Sequence, residues 1–389
     1  MPLEPAVYLD HAATTPLAPE VVEVMVPLLR DGFGNPSSVH AHGRAARNAV
    51  DEARDRLAAV LGCAAREVVF TSGGSEADNV ALRGVLDRRG GGHVVVSAIE
   101  HDAVLKCAED LTAAGRARVS VVGCDSRGVV DPEAVAAAVE DDTVIVSLML
   151  ANNEVGTLQD VATTSELVRR RNKRTLVHTD AVQALGKVPV DVDALGVDLL
   201  SVTAHKVYGP KGAGALVVRD GVGLAPQISG GGQERGRRSG TENVVAIAGF
   251  GVAATLVERE RQSECARLAQ LSARLVELVI TDLPDSVVTG AGAPRLPSFA
   301  TFAFSGVETV VLLTLLDRMG VEASGGSACS SGAHMPSHVL AAMGLSTTLC
   351  EGALRLTLGR DTTAEQVDAA AAIVVAAVRQ VREALVPQR

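Results

Sequence analysis

The stretch VVFTSGGSEADNVALRGVLD, residues 68–87, decides the fold. Val68 to Thr71 form a short β-branched and aromatic run, which reads as a strand. Ser72-Gly73-Gly74-Ser75 then reads as a turn, and 76–87 as a helix. Ser75 and Asp78 have the Ser-x-x-Asp form of a capping box, so the helix is expected to start at Ser75.

The same alternation repeats along the chain. Strands are expected at 93–98, 119–122, 144–150, 175–179, 198–202 and 215–218. Between them, Val104, Leu105, Ala108 and Leu111 mark one face of a helix. Asp131-Pro132-Glu133 supplies an N-cap, a first-turn proline and an acid at the positive end of the next helix. A further helix is expected over 159–171. Apolar strands alternating with helices predict an α/β fold with a largely parallel sheet covered on both faces. Ligands of such sheets lie beyond the carboxyl ends of the strands. Gly74, Asn153, Asp180, His205 and Lys206 fall there.

The pattern changes near residue 250. Leu268, Leu271, Leu275 and Leu278 form one stripe of a long helix. A last helix over 363–385 has Thr363 and Gln366 for a capping box and Val367, Val374, Val378, Val381 and Leu385 for a buried face. A strand at 299–304 lies between them. The expected division is a large domain over 15–255 and a smaller α+β domain made of 1–14 and 256–389.

Composition removes several function classes. Hydrophobic residues are 47% and charged residues 21%, the balance of a globular chain with a large core. No apolar run is long enough to span a bilayer, and no secretory signal is visible at the N-terminus. Lys+Arg 36 against Asp+Glu 46 leaves a net charge of −10, which argues against binding to bulk nucleic acid or anionic membranes. The six cysteines include no C-x-x-C pair, so neither a disulfide framework nor a metal site is expected. A reducing cytoplasm is the expected location.

Three features could carry chemistry. The Gly-rich turn 71–75 exposes backbone N–H groups at a helix start, where a phosphate is favoured; on its own it is equally a steric turn. Asp180 and Lys206 stand at neighbouring strand ends, with Gln183, Thr203 and His205 around them. A carboxylate and a lysine so placed suit pyridoxal phosphate, the lysine binding the aldehyde and the carboxylate pairing with the ring nitrogen. The third is Cys329 within SGGSACSSG, 324–332. A cysteine among small polar loop residues is placed to be exposed and reactive.

Taken together, the chain resembles the cysteine desulfurases, fold-type I pyridoxal phosphate enzymes of the class V aminotransferase group. The likeness runs from YLDHAATTP (8–16) to LRLTLGR (354–360). Between them stand GNPSSVH (34–40), EHDAV (100–104), NNEVG (152–156), HTDAVQ (178–183), AHKVYGPKG (204–212), GGGQERGRRSGT (230–241) and GSACSSG (326–332). The last looks like the group I, iron–sulfur-type members. The resemblance implies a mostly parallel seven-stranded sheet sandwiched by helices, with the smaller domain carrying the cysteine loop. It implies that Lys206 binds the cofactor covalently, that Asp180 pairs with its ring nitrogen, and that Asn153 and Gln183 bond its ring oxygen. His101 would stack on the ring and move protons. Gly74, Ser75, Thr203 and His205 would hold the phosphate, and Thr241 would reach that of the other subunit of a homodimer. Asn35 and Arg355 would bind the carboxylate of L-cysteine, and Cys329 would take its sulfur for transfer to an acceptor, an iron–sulfur scaffold or a thiolation enzyme. A selenocysteine lyase, or another class V enzyme, is the alternative. A non-enzymatic sulfur carrier is disfavoured by the presence together of Lys206, Asp180, His101 and Cys329. Gly74-Ser75 stands where many members have Ala-Thr, and Thr203 where Ser is common; both keep the donor chemistry. Cys350 is outside the pattern and reads as a buried small residue.

Overall fold

The computed structural model describes residues 6–326 and 337–385. Seven strands form the main sheet, in the order Val68–Thr71, Gly214–Val218, Leu199–Thr203, Leu176–Asp180, Thr143–Ser147, Gly92–Ser97 and Ala117–Val122. Gly214–Val218 runs antiparallel to both of its neighbours. The other pairings are parallel. The five residues of Leu199–Thr203 are all buried, as they must be in a sheet covered on both faces. Helices cover it: Gly74–Arg89 and Asp102–Ala113 pack together on one apolar cluster, and Ala41–Leu61 lies on a second.

A third cluster lies apart from these. It joins Val7 and Leu9 to Leu268, Leu275, Phe302, Leu316 and the face Val367, Val374, Val378 and Val381 of the last helix. The helix Val244–Asp282 runs unbroken through position 255, where the sequence reading puts the domain boundary, and contributes to two of the clusters. The segment Phe299–Ala303 pairs antiparallel with Ala353–Thr357 and Val287–Val288, and Val7–Tyr8 pairs with Val321–Glu322. No helix among the described residues is long and apolar enough to cross a membrane.

Two helix starts were legible in different degrees. At Thr363 the reciprocal capping box forms: Thr363 N–H donates to Gln366 Oε1 at 3.0 Å and Gln366 N–H to Thr363 Oγ1 at 3.2 Å. Thr363→Ala is therefore expected to cost about 1 kcal/mol of stability in urea unfolding; an unchanged midpoint would contradict the capping role. At Ser75 the expected box does not form. The helix starts one residue earlier, at Gly74, with Gly73 as an N-cap that offers no side chain. Asp78 faces inward and is 1% exposed, so it cannot reach back to the turn. Glu76 does so instead, accepting from Ser72 N–H at 2.8 Å. The first N–H groups of the helix are left without a side-chain cap.

Candidate active site

The carboxyl ends of the parallel strands open into a cavity of about 230 Å³. Gly74, Ser75, His101, Asn153, Asp180, Gln183, Thr203, His205, Lys206 and Arg355 all line it, so ten of the positions singled out from the sequence converge. Asn35 and Thr241 do not: both are exposed on this chain, outside the cavity. Cys329 lies outside the described residues. Sequence reading gave no site role to the wall residues Asp78, Glu154, His338, Ala12 and Ala13. Glu154 sat in a quoted motif, and Asp78 was assigned to a cap; nothing in the local pattern marks His338.

The backbone explains the convergence. Leu199–Thr203 runs straight into a single 3-10 turn, Ala204–Lys206, which swings the Lys206 side chain over the strand ends. Tyr208 follows in the left-handed region at φ 63°, a conformation that costs a non-glycine residue about 1–3 kcal/mol. It is held there because its N–H donates to Thr15 Oγ1 at 2.7 Å and its hydroxyl accepts from Arg360 N–H at 2.8 Å. The N-terminal segment closes the other wall. Lys206 Nζ donates to the carbonyls of Ala12 at 2.5 Å and Ala13 at 2.7 Å, and Gln183 Nε2 donates to Ala12 O at 2.9 Å. His101 is the N-cap of Asp102–Ala113, its Nδ1 accepting from Ala103 N–H at 3.1 Å. Arg355, 2% exposed, donates to Asn153 O, Gly326 O and Asp10 Oδ1 at 2.7, 2.7 and 2.8 Å.

Burial sets the charge states. It lowers the Lys206 amine to about 8, helped by the nearby Arg355 and Lys187 charges. It lowers His205 to about 4, and the fully enclosed His178 to about 3. Asp78 and Asp180 face each other, and burial raises both above the ordinary carboxylate range. Asp78 is the deeper, and its Oδ1 has no hydrogen-bond partner. Asp180 accepts from Val182 N–H at 2.8 Å, with the charges of His101 and Lys206 drawing its pKa back down. Two such carboxyl groups cannot both be charged. Asp78 is raised the further of the two, and the charges of His101 and Lys206 favour the ionised form of Asp180.

These residues fit pyridoxal phosphate. The uncapped helix start at Gly74 and Ser75, with Thr203 and His205 beside it, is a donor set for a phosphate. A Cβ at Gly74 would stand 2.8 Å from Val182 Cγ2, so that side chain would have to shift to admit one. A buried carboxylate suits a protonated ring nitrogen, and an amine of lowered pKa suits an aldehyde. Gln183 Oε1 is buried without a partner, so the wall has polar capacity that the protein alone leaves unused.

Comparison with known proteins agrees with this geometry. The class-V aminotransferase family matches residues 7–370. Cysteine desulfurase IscS of Dictyoglomus turgidum is 44% identical over 365 residues, covering 93% of this chain and 92% of its own. A solved NifS-like protein superposes with a TM-score of 0.88 at 36% identity, over 98% of this chain and 99% of its own. SspA, solved in complex with cysteine, gives 0.79 at 33% identity over 90% and 98%. The chain belongs to the class-V aminotransferase family and, within it, to the cysteine desulfurases.

Proposed function

We propose that this chain takes the sulfur atom from L-cysteine with pyridoxal phosphate as cofactor, leaving L-alanine and a persulfide on Cys329. The observation that carries the reading is the convergence of Lys206, Asp180, His101 and Arg355 on one cavity at the strand ends. When bound there, pyridoxal phosphate supplies an electron-poor ring that accepts the electron pair left at the substrate Cα.

The protein's residues do the rest. Arg355 binds the substrate carboxylate through its planar fork. Lys206 holds the cofactor and, once displaced from it by the substrate amine, moves the Cα proton. Asp180 keeps a proton on the ring nitrogen, and His101 covers the ring and shuttles protons. Gly74, Ser75, Thr203 and His205 hold the phosphate, and Asn153 and Gln183 the ring oxygen. The Cys329 thiolate then attacks the substrate sulfur: the S–S bond forms, the C–S bond breaks, and its electron pair stays with carbon, which is protonated to alanine. An acceptor thiol, on an iron–sulfur scaffold or a thiolation enzyme, takes the terminal sulfur.

Asn35 and Thr241 enter through a homodimer. Thr241 lies at the end of an exposed loop and serves the phosphate of the partner's site.

The direct test is the holoenzyme with L-cysteine and a thiol reductant. Alanine and sulfide should appear in equal amounts; pyruvate or no product would overturn the reading. Arg355→Lys should raise the KM for cysteine about tenfold to a hundredfold, since a charge-assisted hydrogen bond is worth about 1.5–3 kcal/mol. An unchanged KM would remove Arg355 from substrate binding.

A further inference from the structure

Asp10 belongs to the YLDHAATTP stretch, and the reaction above gives it no task. Its side chain is bound to Arg355. The buried Arg355 guanidinium donates through Nη1 to Asn153 O and Gly326 O, both at 2.7 Å, and through Nη2 to Asp10 Oδ1 at 2.8 Å. Asp10 is its ion-pair partner among the described residues. Arg355 lines the cavity and Asp10 does not, so the carboxylate holds the guanidinium from outside the wall. A guanidinium has five N–H donors. Three are spent on the protein; of the two left, one is Nε–H, buried without a partner, and the other is on Nη2. Donors on these adjacent nitrogens are the pair that a carboxylate takes side by side.

The backbone fixes where Asp10 stands. Asp10 bridges to Thr357, which lies two residues from Arg355 on the strand Ala353–Thr357. Thr357 N–H donates to Leu9 O at 2.7 Å, His11 N–H to Thr357 O at 3.3 Å and Ala12 N–H to Thr357 Oγ1 at 2.9 Å. Asp10 O accepts from the Tyr8 hydroxyl and from Ala13 N–H, both at 3.0 Å. The residues on either side of Asp10 are therefore pinned to the strand that carries Arg355. An arginine side chain has many rotamers to lose when it is ordered. A fixed acceptor at one nitrogen meets that cost before the substrate arrives. Of the three acceptors on Arg355, Asp10 is the one that carries charge, which makes its hydrogen bond the strong one.

We propose that Asp10 is a positioning residue for substrate binding, holding the Arg355 guanidinium so that Nε–H and the second Nη2–H meet the carboxylate of L-cysteine. The proposal rests on Arg355 being the group that binds that carboxylate. It is tested in the holoenzyme with Asp10→Ala, Asp10→Asn and Arg355→Lys, using L-cysteine and cysteamine, the same aminothiol without the carboxylate. Turnover gives KM and kcat for cysteine, and the change in cofactor absorbance gives the binding of each ligand. Asp10→Ala should raise the KM for cysteine about tenfold, the loss of one charge-assisted hydrogen bond on the binding group, with kcat within about twofold. Its binding of cysteamine should match that of the wild type. Asp10→Asn, which keeps an acceptor oxygen but not the charge, should raise the KM about threefold. An unchanged or lowered KM in Asp10→Ala would overturn the proposal; a lowered one would mean that Asp10 competes with the substrate for Arg355. Equal losses for cysteine and cysteamine would overturn it too, since Asp10 would then only support the Ala12-Ala13 wall. If Asp10→Ala does not fold, Asp10→Asn decides alone. An unchanged KM for cysteine in Arg355→Lys would instead overturn the Arg355 assignment, and the proposal with it.

Discussion

Lys206→Ala is expected to abolish covalent cofactor attachment and to lower turnover at least about 10²–10⁴-fold, the contribution of a positioned proton-transfer group. The fold should survive. What the folded protein loses is two hydrogen bonds, to Ala12 O and Ala13 O, and with them a buried amine whose desolvation is already unfavourable. The variant should therefore melt close to the wild type while lacking the absorbance of lysine-bound pyridoxal phosphate. Unchanged absorbance would show that another amine holds the cofactor; Lys187, also buried and lowered to about 8, would be the first to examine. The lowered pKa adds a second expectation for the wild-type apoprotein. Only the neutral amine attacks an aldehyde, and burial brings Lys206 down to about 8. The rate of pyridoxal phosphate capture should rise as pH is raised through about 8. A rate that rises only near the ordinary lysine range would contradict the desolvated environment.

How much of this was legible in the sequence depends on the range of the forces involved. The strands at 68–71, 215–218 and 299–304 were readable because burial on both faces demands consecutive apolar residues; each matches an observed strand to within one residue. The capping box at Thr363 was readable because both partners lie within one turn. The same rule failed at Ser75. Asp78 turns inward toward His178, a hundred residues away along the chain, whose Nε2 stands 3.6 Å from Asp78 Oδ1. Lys206 and Asp180 were readable as a pair because parallel neighbouring strands put their carboxyl ends together. Glu154 was not, because its partner Ser337 comes from a distant part of the chain whose return to the strand ends no local pattern encodes. Asn35 and Thr241 are exposed outside the cavity of this chain, where no local pattern ties them to it.

Cys329→Ser is expected to separate the two halves of the reaction completely. In the proposed reading, binding of pyridoxal phosphate and of cysteine rests on Lys206, Asp180 and Arg355, all of which line the cavity and are left in place. The variant should bind both with wild-type affinity and show the cysteine-induced change in cofactor absorbance. It should make no alanine, because serine lacks the polarizable thiolate that attacks sulfur. The other described cysteines are poor substitutes. Burial pushes Cys63 up to about 12, and Cys107 and Cys124 to about 11, and it raises Cys265 and Cys350 as well. The most direct measurement is the intact mass of the wild type and of Cys329→Ser after a single exposure to cysteine without reductant, with the modified peptide then located. The wild type should gain the mass of one sulfur atom on the peptide containing Cys329, and the variant none. A sulfur atom gained by Cys329→Ser, on Cys350 or any other cysteine, would contradict the account.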